Sequence, residues 1–385
     1  IANNQGVSDM KKLCIFLVLL FVLFPINAKA TDEVASIENE LFAEFDFSEI
    51  DQMLEEIFPG EKVGFLEMVT KLISGELDFS LGVIKEFVWN QFTFELSNSK
   101  SGLIHILLLV IVAAIFANFS SVFKSKQVSE IGFSMMYMFL LTICLRNFHI
   151  LVQSVAENLQ KLMRFMEVLG PVYFLAVGMA RGSMTSVAFY QLILVLIFLV
   201  ELLILNFLLP AVKIYFIVKI IGEFSPEIPL SRFAEFLETI VNWSLKTLTA
   251  SIIGINVIQG LLMPAIDSVK RSVLLKSGEA IPMIGDLIGG STEIVLGTAV
   301  LIKNGIGIVG MIICLIVCLP PLIQMGVTAL LYQLVSAVAQ PISDKRMVNC
   351  IGSVADGSKM LLKITATIGI LFLLTIAVVA ATTGG

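Results

Sequence analysis

Few polar side chains of this chain stand where they could do chemistry. Glu201 lies inside the apolar run 196–209 and is followed only by uncharged residues up to 212. A lone carboxylate at the centre of a membrane costs on the order of 2.5–3.5 kcal/mol, so it must face other helices, a base or a water path. It reads either as an ion or proton site or as an interhelical hydrogen bond; with no second carboxylate in the span, the packing reading is favoured. A second group lies in the stretch GDLIGGSTEIVLGTAVLIKNGIGIVG, which holds Asp286, Glu293, Lys303 and Asn304 among glycines. Gly285 and Gly289 form a GxxxG step, and Gly305, Gly307 and Gly310 follow. Such small residues allow close helix approach, the favoured reading, or a broken helix that lines a cavity.

Other constellations are missing. There is no GxxxxGK[ST] phosphate loop, no HExxH and no GxSxG nucleophile turn. His105 and His149 are far apart. Cys314 and Cys318 share a helix face without His or acidic partners, which suits packing better than metal binding. Cys144 and Cys350 look solitary, and residues 31–100 contain no cysteine. The chain is expected to be no enzyme, to carry no metal or other cofactor, and to bind no nucleic acid.

The elements that must position these residues are set by composition. Hydrophobic residues make up 57% of the 385 residues and charged residues 15%, with a mean hydropathy of +0.95. Soluble domains carry roughly 25% charged residues. An ordinary soluble enzyme, a disordered chain and a disulfide scaffold are thereby excluded, and the bilayer is the expected partner. The net charge of −6 is unevenly placed: +2 over residues 1–30, −12 over 31–100 and +4 over 101–385.

Those blocks are the expected domains. Residues 1–30 hold Met10-Lys11-Lys12, an apolar run and Ala28-Lys29-Ala30, the three parts of a cleaved signal peptide, with Met10 the expected natural start. Secretion puts residues 31–100 outside the cytoplasm as an acidic helical domain. Its helices are expected to end at Pro59-Gly60 and at Gly75, with a turn-rich linker at 97–102. The aromatics from Phe42 to Phe94 either pack together or form a docking surface for an extracytoplasmic protein.

Residues 101–385 form the polytopic domain. Uncharged runs at 101–123, 182–200, 247–266 and 364–385 read as spans, and 304–343 as two spans split at Pro320-Pro321. The segment 131–150 adds a further one, and 168–180, with Gly170-Pro171, reads as re-entrant. The fold class is all-α: a polytopic helical membrane protein of six to eight spans with a small N-terminal extracytoplasmic helical region. Amphipathic stretches at 152–167, 213–246 and 267–303 need not span. Basic residues favour the cytoplasmic side, so Lys345 and Arg346, next to Asp344, mark an inner loop open to cytoplasmic contacts. Segments starting at Pro229, Pro282 and Pro341 echo one another as a weak repeat.

The strings at 259–312 and 340–362 resemble the stage III sporulation protein AE family, through Ala265, Ile281-Pro282, Leu301-Ile302-Lys303-Asn304, Gly310 and Asp344-Lys345-Arg346. The sequence departs from the expected pattern at Ala265-Ile266-Asp267. The resemblance implies a membrane subunit of a secretion-like complex joining mother cell and forespore in endospore formation. It also implies partners: other membrane subunits, extracytoplasmic ring-forming proteins and a cytoplasmic ATPase. The expected location is the mother-cell membrane around the forespore, and the expected role is structural or gating. A solute permease acting alone is the other function considered.

Overall fold

The computed structural model describes residues 40–57, 64–75, 81–119, 126–181, 185–224, 230–278 and 285–382. Every regular element among them is a helix. In chain order these are α1 (Ser48–Ile57), α2 (Phe65–Ile73), α3 (Leu81–Phe119), α4 (Lys126–Arg181), α5 (Thr185–Leu203), α6 (Leu209–Phe224), α7 (Ser231–Gly278), α8 (Gly285–Ala339) and α9 (Lys345–Thr382). Residues 1–30, the expected signal peptide, and Pro59-Gly60 lie outside the described residues.

The two short N-terminal helices are tied together by local contacts. Asp46 accepts from the Ser48 amide at 3.0 Å, and this contact with Ser48 holds its carboxyl below the usual carboxylate range. Asp51 on α1 accepts from the Phe65 amide at 2.7 Å and so satisfies an orphan N–H of α2. Gly75 ends α2 as expected, with φ of 75° and its amide bonded to the Leu72 carbonyl. Phe42, Phe45, Phe47 and Phe65 bury their rings together at centroid distances of 5.5–6.4 Å.

The long helices depart from the expected boundaries in one consistent way: they run on. The linker at 97–102 is helical within α3. The 131–150 span, the charged stretch after it and the proposed re-entrant 168–180 are one helix, α4, with Pro171 inside. The two spans expected in 304–343 are one helix, α8, which passes through Pro320 and Pro321. Each proline removes one donor, but neighbouring helices and local adjustment make good the loss in packed membrane helices. Ser, Asn and Gly at 97–102 are likewise tolerated where flanking apolar turns are already helical.

Among the described residues, five helical segments are long and apolar enough to cross a membrane: Lys85–Val112, Ile131–Ala180, Gln191–Glu223, Val295–Ala339 and Lys345–Ala380. The expected run 247–266 lies within α7, whose side chains beyond 258 are outside the described residues. The protein is thus an all-α polytopic membrane protein. Pro229, Pro282 and Pro341 each precede a long helix, α7, α8 and α9, and the amphipathic and apolar parts of each repeat are one continuous helix.

α9 is central. It packs against α8 in an antiparallel hairpin and also touches α4, α6 and α7. α1 and α2 do not stand apart from the membrane bundle: α1 lies on α4 and α2 on α8.

Candidate functional site

The glycine-rich part of α8 is a contact surface. A Cβ at Gly305 would stand 3.0 Å from Val69 and 3.1 Å from Ile73, both on α2. One at Gly307 would stand 2.8 Å from the Tyr173 hydroxyl, and one at Gly310 2.7 Å from Leu169. Three glycines therefore admit α2 and two turns of α4 against one helix. Gly285, Asp286, Gly289 and Glu293 are in the first turns of α8, where side chains lie outside the described residues.

Lys303 is fully buried between these glycines and the end of α9, its Nζ donating to the Ala380 carbonyl at 3.4 Å. A cation suits this place because the last carbonyls of a helix carry the negative end of its dipole. Asn304 is half-buried beside it. On another face of α9, Asn256 donates to Thr375 at 3.2 Å, while its buried Oδ1 has no partner among the described residues.

Glu201 is half-buried on α5, and no base pairs with it among the described residues. It stands one turn before a π-helical segment, Ile204–Leu208, where the Leu209 amide bonds back to the Ile204 carbonyl. Pro210 explains the wider turn, since its ring would crowd the carbonyl of residue 206 in a regular helix. Glu201 and Lys303 stand on different helices, α5 and α8.

The largest polar assembly was not among the expected sites. Lys219 on α6 meets Asp356 on α9 at 2.6 Å and donates to the Tyr215 hydroxyl at 3.1 Å. Lys359 bridges the other carboxylate oxygen at 3.3 Å and donates to Gln333 on α8 at 2.6 Å. One turn away, Asn349 donates to Glu223 at 2.7 Å, and Lys363 donates to Asn242 on α7 at 2.6 Å. These contacts tie α6, α7, α8 and α9 together part-way along α9. The Lys219 and Asp356 side chains keep 25% and 43% of their exposure, so water reaches the pair. That suits a wet latch between helices better than a dry proton relay. Sequence reading missed it because Lys219 and Asp356 are 137 positions apart. The signal available was the shared face of Asp356, Lys359 and Lys363.

At the start of α9, Asp344 caps the helix by accepting from the Arg346 amide at 2.8 Å. Arg346 stacks over the Phe133 ring at 4.4 Å, whereas Lys345 is exposed. Cys144 and Cys350, read as solitary, are hydrogen-bonding neighbours across α4 and α9. No group of three or more His, Cys, Asp or Glu converges among the described residues. Trp89 and Phe94 on α3 are exposed, unlike the ring cluster around α1.

The sequence matches the family described as stage III sporulation protein AE over residues 63–383, which covers α2 to α9. The chain belongs to the stage III sporulation protein AE family. A relative, stage III sporulation protein AE of Bacillus subtilis (strain 168), is 23% identical over 346 residues, covering 90% of this chain and 86% of its own. No solved structure matches. Membership of the stage III sporulation protein AE family makes this a membrane protein of sporulation, and that family is not one of known enzymes. The family match takes in the Lys303 cap, the glycine contacts on α8 and the Lys219–Asp356 latch alike.

Proposed function

We propose that the protein is a membrane subunit of a secretion-like complex that joins mother cell and forespore during endospore formation, with a structural or gating role. The family match across nearly every described helix carries this reading. The geometry supports it: among the described residues, Lys219, Asp356, Lys359 and Lys363 bind helices to one another, as a structural subunit requires. In this reading the protein sits in the mother-cell membrane. The N-terminal helices α1 and α2 face the extracytoplasmic side, and the turn before Lys345 faces the cytoplasm. Its partners are other membrane subunits and extracytoplasmic proteins of the complex on one side and a cytoplasmic ATPase on the other.

Photo-crosslinkers at Trp89 and Lys345 test the arrangement in sporulating cells. The expected products join residue 89 to an extracytoplasmic subunit and residue 345 to a cytoplasmic one, both retained in the mature complex. Crosslinks that disappear as the complex matures would indicate an assembly factor instead. The half-buried Glu201 beside a π turn supports a second reading, a solute permease acting alone. Purified protein in liposomes that moves a solute, and stops when Glu201→Gln is introduced, would displace the subunit reading.

A further inference from the structure

The outward-facing side chains place the bilayer at two different heights, and one geometry reconciles them. Phe148 on α4 sets a reference level. It stacks on Phe216 of α6 at 3.8 Å and stands 2.5 Å from where a Cβ of Gly357 on α9 would be. The Arg346–Phe133 contact marks the lower end of the bundle. Heights follow from about 1.5 Å of rise per residue.

On α4, exposed Ile131, Met135, Met138 and Phe139 lie about 14–26 Å below the reference. On α8, exposed Leu334 and Val338 descend from Tyr332, which accepts from Asn147 at that level, and exposed Ile342 follows in the turn before α9. Above it, α4 turns charged: Glu157, Lys161, Arg164 and Glu167 are all exposed, about 14–29 Å up. Glu56 of α1 stands 3.9 Å from Arg164 there.

Across α9, which packs between α8 and the α6–α7 pair, the order is reversed. α5 and α6 expose Leu192, Phe198, Phe207 and Ile214 from about 36 Å down to about 3 Å above the reference. α7 exposes Ile253 and Val257, about 17 Å or more above Asn242. The charged groups of this flank are Glu235 and Lys359 near the reference level, Lys363 about 9 Å above it and Lys246 about 6 Å above Asn242, with Phe233, Phe236 and Trp243 exposed among them.

An upright bilayer at the height of α5 would put Glu157 to Glu167 in hydrocarbon. One at the height of Met135 would put Lys219, Glu223 and Arg232 there. We infer that the bilayer crosses this bundle obliquely, low on the α4–α8 flank and high on the α5–α7 flank. Each charged strip then faces water on its own side of the membrane. The run 192–221 is about 44 Å long, against a hydrocarbon core of about 30 Å, as a helix inclined well beyond the usual ~20° requires. Only the assignment of which strip faces the cytoplasm rests on the topology proposed above.

Single cysteines at 138, 334, 199, 257, 161 and 235 in the full chain, in native membranes, test the inference. The four described native cysteines are buried and give the baseline. Cysteines at 138, 334, 199 and 257, labelled with a membrane-permeant bimane, are expected to be quenched by nitroxide lipids and to resist impermeant maleimide. Position 161 should react with impermeant maleimide only from the extracytoplasmic side and 235 only from the cytoplasmic side. Reaction of 138 and 334 with the impermeant reagent would overturn the inference in favour of an upright bundle. Silence of both to reagent and quencher would overturn it in favour of a covering subunit. Labelling of 161 from both sides would overturn it in favour of a water-filled path. If 161 and 235 exchange sides while the lipid contacts hold, the oblique placement stands and the proposed topology fails.

Discussion

At the scale of single residues, polar groups in this protein connect helices. Lys219 and Asp356 show this best, because each is the other's partner across two helices and neither is solvent-free. Asp356→Ala should lower stability in detergent by about 1–3 kcal/mol, the range for a hydrogen bond to a charged group. The double reversal Lys219→Asp with Asp356→Lys should recover a good part of that loss, while either reversal alone should not. Thermal unfolding of the purified protein reads both. A reversal pair no better than its single members would mean that packing around the pair, and not the pair itself, holds the helices. Gly357 belongs to the same scale: its missing Cβ leaves room for the Phe148 ring, which in turn stacks on Phe216.

Among the elements, the π segment between α5 and α6 stands out. It amounts to one residue added to an otherwise continuous helix, and Pro210 supplies the reason for the wider turn. α5 packs mainly on α4, and α6 mainly on α7 and α9, so the segment sits where the helix changes its main neighbours. Deleting Phe207 together with Pro210→Ala should straighten the turn and keep Lys219 facing Asp356. Deleting Leu196, in the regular part of α5, should rotate everything before or after it by about 100° and reduce the folded yield. Disulfide formation between cysteines placed at 219 and 356 checks this. Equal yields from the two deletions would remove the special status of the π segment.

At the scale of the whole molecule, the short N-terminal helices α1 and α2 are built into the bundle. Val69 and Ile73 fill the space left by Gly305, and both are buried. Full burial of an aliphatic side chain contributes roughly 1.5–3 kcal/mol, so Val69→Asp with Ile73→Asp should release α2. The expected outcome is new proteolytic cleavage near 64–75 and a lower thermal midpoint, with α8 and α9 still protected. Unchanged protection of 64–75 would show that α2 is held by other contacts. Release of α2 should also expose the glycine surface of α8, the part nearest the Lys303 cap.

The sequence by itself determined that this is an all-helical membrane protein, and where the family resemblance lies, because hydrophobic composition and periodicity are local properties. It also marked Gly75 as a helix end and Gly305, Gly307 and Gly310 as small residues, since those signals lie in the residue itself. It misplaced the breaks at 97–102, 168–180 and 320–321, because helix breakers act locally and neighbouring helices outweigh them once packed. Only the tertiary structure decided that Lys219 meets Asp356, that Cys144 meets Cys350, that Lys303 ends against α9 and that α2 rests on Gly305. Those pairings join segments far apart in the chain, and no local pattern encodes which helix faces will meet. The height of each charged strip relative to its apolar neighbours was likewise set by how the helices are stacked.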